Sequence, residues 1–253
     1  MFASRRAGYR LREHSTERDR WMLITVLISG IALTVPAALA MSGALSNLDA
    51  RPPAVALLIG AMTVGTVVLA FSPFGTRLIK AWSLWALVGF QAFRILVEVL
   101  LAGAHWAGIV PEEVTWMGWN FDVLVGLSAL AIGYRARQRP LAEGLIWVWN
   151  VVGVVLLAVV VTTAARSAFG FLETEPRMTL PATWPGVWLP TWLVQLGLFG
   201  HLLVFRKLLQ KRQPSTRPEP IAPTFKEKTA WEMPRVTLAD EDRPSSRTNT
   251  PRS

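Results

Sequence analysis

Six apolar stretches, each long enough or nearly so to cross a bilayer as a helix, leave this chain few folds to choose from. A hydrocarbon core of ~30 Å takes about 20 residues of helix at ~1.5 Å per residue. Residues 21–45, 54–71, 81–105, 116–134, 144–165 and 187–205 reach or approach that length. The pattern predicts an all-α fold, a polytopic membrane bundle of six transmembrane helices within residues 21–208. A basic N-terminal segment, 1–20, precedes it, and a basic tail rich in Pro, Ser and Thr, 209–253, follows with the composition of a disordered segment. The fourth stretch is the weakest, because Asn120 and Asp122 stand near its start and it becomes strongly apolar only from Val123; a re-entrant segment is its alternative.

Charge gives the expected orientation. Lys and Arg collect on the cytoplasmic side of membrane proteins, and acids carry little weight in that rule. Arg5, Arg6, Arg10, Arg12, Arg18 and Arg20 precede the first stretch, Arg77 and Lys80 lie in the second loop, and Arg135, Arg137 and Arg139 lie in the fourth. Arg206, Lys207, Lys211 and Arg212 follow the last stretch. The first loop has only Arg51 and the third has none, though it carries Glu112 and Glu113; Arg166 and Arg177 blur the fifth. Both termini are therefore expected in the cytoplasm of a cell with an inner membrane. Tryptophans at residues 21, 82, 106, 116, 184 and 188 fall at predicted helix ends, where indole favours the headgroup region. The first stretch also resembles a signal peptide, with Pro36 and Ala38-Leu39-Ala40 as a cleavage-like site, but it is longer than a usual signal core and runs on to Leu45 without a polar start.

Composition then excludes chemistries. With 52% apolar and 17% charged residues, a formal charge of +9 reads as basic membrane flanks, with no nucleic-acid partner implied. The chain has no cysteine, which rules out disulfides, iron-sulfur clusters and thiol catalysis. His14, His105 and His201 are expected at three different depths, so no metal site and no bis-histidine haem is predicted, and no cofactor is implied. Walker, dinucleotide and zinc-protease patterns are absent.

Ionisable residues inside the expected bilayer carry the most information, since each costs about 2.5–3.5 kcal/mol at a helix centre on insertion scales. Gln91, Arg94, Glu98 and His105 are spaced to share one face of the third helix, and that face has to avoid lipid. Asp122, entering from the outer end of the fourth helix, is expected at the depth of Glu98. The spacing predicts that Arg94 bridges Glu98 and Asp122, with Asn120 and Gln195 as neighbours, in a cluster opening toward the outer face. Asn150 and His201 form a second expected polar pair, of the kind that joins helices. Gly197 and Gly200 read as close-approach residues.

Phe93-Arg94-x-x-Val97-Glu98, Asn120-Phe121-Asp122 with Gly126, Trp149-Asn150, Trp188-Leu189-Pro190 and His201-Leu202 together resemble a group of uncharacterised multi-pass bacterial membrane proteins, over about residues 90–205. The resemblance implies a membrane location and brings no activity with it. The residues favour a transporter-like or sensing component whose cluster takes an ion, proton or small polar ligand from the outer side; the alternatives are a structural or assembly subunit beside a membrane-protein partner and an intramembrane lipid-modifying enzyme using Glu98 or Asp122 as acid or base. Membrane lipids are expected partners in each.

Overall fold

The computed structural model describes residues 15–139 and 141–212. The chain divides into two units, 1–213 and 214–253; residues 1–14 and the tail assignment beyond residue 212 lie outside the described residues. Those described form helices and turns, with no strand among them. The helices are α1 (Ser15–Met41), α2 (Ala54–Phe71), α3 (Pro73–Ala81), α4 (Leu84–Phe90), α5 (Arg94–Trp106), α6 (Asp122–Gln138), α7 (Glu143–Ala168) and α8 (Val194–Arg212).

Five spans are long and apolar enough to cross a membrane: α1, α2, α4 continued through α5, α7, and a helix running from Leu189 to Gln210. The fourth predicted stretch is the exception. Its helix starts at Asp122, not at residue 116, and its 17 residues come to roughly 25 Å at 1.5 Å per residue. Residues 116–119 are turns instead, and 120–121 are irregular. Thr115 Oγ1 accepts from the Met117 amide, the Gly118 and Asn120 amides donate to the Thr115 carbonyl, and Asn120 Oδ1 accepts from the Asp122 amide. Local side-chain acceptors of this kind outcompete a helix start among Trp-Met-Gly-Trp.

Three further departures from the sequence reading have local causes. The third span is broken at Gln91–Phe93, a 3-10 turn between α4 and α5. The last begins as a π-helical turn over Leu189–Leu193 around Pro190, whose ring supplies no amide hydrogen, and it continues through Arg212, past residue 208. The second loop holds α3, a helix absent from the prediction. Ser72 caps it by accepting from the Phe74 amide, and Pro73 occupies its first turn. α8 pins α3 in place: Lys207 Nζ donates to the Ile79 and Trp82 carbonyls at 2.5 Å each, and Arg206 donates to Thr76 Oγ1 at 2.8 Å and to the Ala70 carbonyl. A cation at the last carbonyls of a helix is the favourable arrangement.

The main core joins α3, α4, α6, α7 and α8 through Leu78, Ile79, Leu87, Val88, Val125, Trp149, Leu203 and Leu208. Near the opposite ends of the helices, Val110, Val114, Ala168 and Met178 pack together, as do Leu45, Leu48, Val55, Ala182 and Val187. At that end Arg177 Nη2 meets Asp49 Oδ1 at 2.8 Å, joining the α1–α2 loop to the α7–α8 loop. The Arg177 guanidinium holds the exposed Asp49 carboxyl below its ordinary range, through its hydrogen bond first and its charge second. α1 buries a single residue, Pro36, and is tied to the bundle by Trp188 Nε1, which donates to the Leu33 carbonyl at 2.9 Å, and by Trp21 against Phe74.

Candidate functional site

The polar cluster sits where α5, α6 and α8 meet. Gln91, Arg94, Glu98, Asn120 and Asp122 are all buried, Asp122 the most exposed at 7%. Arg94 Nη1 donates to Asp122 Oδ1 at 2.6 Å, and the two side chains are 3% and 9% exposed. This is a charge-assisted bond between two helices, of the strong class.

Arg94 does not bridge the two acids. Its ion-pair partner among the described residues is Asp122, and Glu98 is held by Asn120, whose Nδ2 donates to Glu98 Oε1 at 2.6 Å and to the Val114 carbonyl at 2.9 Å. The physical reason lies in sequence order. An acid four residues after a base is the weaker orientation on a helix, and Asn120 offers Glu98 a short alternative. The acids are still linked, since Asn120 Oδ1 accepts from the Asp122 amide. The loop before α6 thus covers the cluster, where the sequence suggested an opening.

Gln195 and His105 take other places. Gln195 donates through Nε2 to Thr63 Oγ1 on α2 and to the Pro190 carbonyl, which braces the π-helical turn. His105 lies half-buried at the end of α5, with Nδ1 3.1 Å from the Val110 carbonyl. Gln91 crosses to α8 and donates to the Gly197 carbonyl at 2.9 Å.

The second pair is in contact. Asn150 Nδ2 donates to the His201 carbonyl at 3.1 Å, and Asn150 Oδ1 lies 2.8 Å from His201 Nδ1. Trp149 packs beside the imidazole with ring centroids 5.7 Å apart, and Trp149 Nε1 donates to Ser128 Oγ on α6. A single residue pair therefore ties α7 to α8, and its neighbour ties α7 to α6.

Glycines make these contacts sterically possible. A β-carbon on Gly197 would lie 2.6 Å from Arg94 Nη2, one on Gly200 would lie 2.7 Å from Gln91 Nε2, and one on Gly153 would lie 2.8 Å from His201 Nε2. α6 approaches closely as well, since a β-carbon on Gly133 would lie 3.0 Å from Gly89 Cα. Small residues at such crossings are how helices associate in lipid, where burying apolar surface supplies no drive. The sequence marked Gly197 and Gly200 as close-approach residues. It did not show that each receives one particular polar side chain, nor that Gly153, Thr63 and the Val114 carbonyl belong to these contacts.

Several buried polar atoms have no hydrogen-bond partner among the described residues: Gln91 Oε1, Arg94 Nε and Nη2, Glu98 Oε2, Gln195 Oε1 and His201 Nε2. No group of three or more metal-ligating side chains is present among those residues.

Residues 52–209, well over half of the chain, match the family model described as a domain of unknown function (DUF8737). The chain belongs to that family. The match takes in α2 through most of α8, and with them every residue of both polar clusters. No curated protein and no solved structure matches the chain.

Proposed function

We propose that this protein is a multi-pass component of a bacterial inner membrane, with six crossings and both termini in the cytoplasm, acting as a structural or assembly subunit beside a membrane-protein partner. In this reading the short α6 is the sixth crossing. The basic ends of α3, α6 and α8 then face the cytoplasm, and the Glu112–Glu113 loop faces outward. The observation that carries the subunit reading is the enclosure of the cluster. It is covered by the turn before α6, whose Asn120 holds Glu98, and Arg94 pairs with Asp122 from helix to helix. A buried ion pair that only fixes how helices meet needs no substrate.

A second reading keeps the cluster as a site for an ion, proton or small polar ligand. Arg94 Nε and Nη2, Gln91 Oε1 and Glu98 Oε2 favour it, because buried polar atoms without partners are uncommon and mark places where a small guest is stabilised. Nothing in the geometry favours the lipid-modifying enzyme.

Two measurements test these statements. The chain is free of cysteine, so single cysteines at Ser46, Glu112, Lys80 and Arg139 report sidedness by impermeant labelling. Labelling of the first two from outside and of the last two only after permeabilisation is expected; the reverse pattern contradicts the topology. In proteoliposomes, the subunit reading expects Glu98→Gln to leave proton and alkali-cation flux at the level of protein-free vesicles, as in the parent. A flux carried by the parent and lost in Glu98→Gln rejects it in favour of the second reading.

A further inference from the structure

Between α1, α2, α4 and α8 lies a cavity of about 660 Å³, separate from the polar cluster. That volume falls within the ~300–1,000 Å³ usual for small-molecule sites. It is elongated along the helices: on α8 its wall runs from near Thr191 to Leu203, and on α2 from Ala61 to Ser72. Twelve residues of helix correspond to roughly 18 Å, more than half of a ~30 Å hydrocarbon core. Such a slot suits one extended hydrocarbon chain better than a compact ligand.

The wall is more apolar than its residue names suggest. Thr25, Thr66, Ser72 and Thr191 all line it, and their hydroxyls donate to carbonyls of their own chain at Trp21, Met62, Leu69 and Val187. Ser29 and Gln195 add polar groups to the wall, Gln195 with Oε1 unpartnered at the end remote from α3. The opposite end has a different character. It meets α3 and the residue after it, where Phe74, Leu78 and Trp82 form the lining; Lys80, also on α3, is exposed and lies outside the lining. Trp82 Nε1–H is buried without an acceptor among the described residues. A hydrocarbon slot that ends at an unused N–H donor, next to a helix that carries the exposed Lys80 outside the slot, matches an amphiphile with an acyl tail, ester oxygens and a negative headgroup.

We infer that this cavity is a lipid site, taking one acyl chain of an anionic glycerophospholipid whose headgroup rests against α3. The lipid fills the space left between α1, α2 and α8, beside the direct contacts that hold α1, the Trp188 Nε1 bond to the Leu33 carbonyl and the Trp21–Phe74 ring contact. The inference rests on the bilayer location proposed above and is independent of the role of the polar cluster.

Gly65 gives a clean test. It lines the slot, and a β-carbon there meets nothing within 4 Å, so Gly65→Phe adds a ring at the slot wall with no collision at its β-carbon. Gly60 on the same helix is equally open but does not line the slot, so Gly60→Phe is the control. The full-length protein in detergent is titrated with 1-palmitoyl-2-oleoyl phosphatidylglycerol, and separately with the matching phosphatidylcholine, and retained lipid is counted by native mass spectrometry. The parent and Gly60→Phe should each hold one phosphatidylglycerol more tightly than phosphatidylcholine. Gly65→Phe should weaken it by about tenfold, the factor that goes with displacing roughly two buried methylenes. Trp82→Phe should narrow the preference between the two lipids. Equal retention by Gly65→Phe and the parent overturns the site, and equal binding of the two lipids by the parent overturns the headgroup assignment. Resistance of the parent to carbonate extraction from membranes is scored separately, so loss of the bilayer location is distinguishable from loss of the lipid.

Discussion

Replacing Gly197 with Ala adds one carbon at the point where the guanidinium of Arg94 lies against α8. The new atom would lie 2.6 Å from Nη2 and 3.3 Å from both Cζ and Nε. Ordinary contact begins near 3.5 Å, so the guanidinium has to withdraw by close to that difference at Nη2. It has little freedom to do so, because Nη1 is held 2.6 Å from Asp122 Oδ1. Overpacking of a tight core costs about 1–3 kcal/mol, and loosening a hydrogen bond to a charged group about 1.5–3 kcal/mol. Against these stands the better helix propensity of Ala, up to about 1 kcal/mol. The net expectation is a loss of about 2–4 kcal/mol, read from equilibrium unfolding of the purified protein in bicelles. The cost should largely vanish when Arg94 is already Ala, since nothing then occupies the space. A loss under about 0.5 kcal/mol, which is typical of a neutral surface substitution, would refute this reasoning. So would the same loss in the Arg94→Ala background.

Other positions give independent outcomes. Gly153→Ala should lower stability by about 1–3 kcal/mol through its collision with the buried His201 ring, and Gly153→Ala with His201→Ala should cost less than the sum of the two, measured by the same unfolding. Asn120→Leu removes the bonds to Glu98 Oε1 and the Val114 carbonyl; hydrogen exchange in the amides of residues 112–121 should rise while those of α2 stay unchanged. The Asp49–Arg177 bridge depends on pH with a definite sign. Because the folded carboxyl titrates below its ordinary value, the contact is fully present above the ordinary carboxylate range and is lost as pH falls through the lowered folded value. Asp49→Asn should abolish the dependence of loop labelling on acid pH; an unchanged profile points to another group.

Much of the bundle was legible because hydropathy and length act over whole segments. Residues 54–71 were bounded as the structure bounds them, and the polar residues of α5 were placed on a buried face by spacing alone. Failures came where a few local bonds decide the outcome. Trp116 through Phe121 read as helix by apolarity, but Thr115 and Asn120 bind the backbone into turns. The residues of α3 read as loop because their basic side chains hid a capped helix whose anchors, Arg206 and Lys207, lie well over a hundred residues away. At the cluster, composition and spacing put Arg94 near both acids. The choice of Asp122 over Glu98 depended on Asn120 and on the space left by Gly197, neither of which a pattern along one helix reveals. Gln195 was expected as a neighbour of the cluster, whereas Thr63 and Pro190 hold it elsewhere.

The most direct test of the buried ion pair as the tie between α5 and α6 is the coupling energy between Arg94 and Asp122, from unfolding of the parent, Arg94→Leu, Asp122→Leu and the double variant in bicelles. Either single change strands a buried charge and should cost about 3–5 kcal/mol, while the double variant should recover most of that loss. A coupling of about 2 kcal/mol or more is predicted, well above the ~0.6 kcal/mol average of interhelical hydrogen bonds in a membrane. Additive single losses, with no recovery in the double variant, would contradict the account.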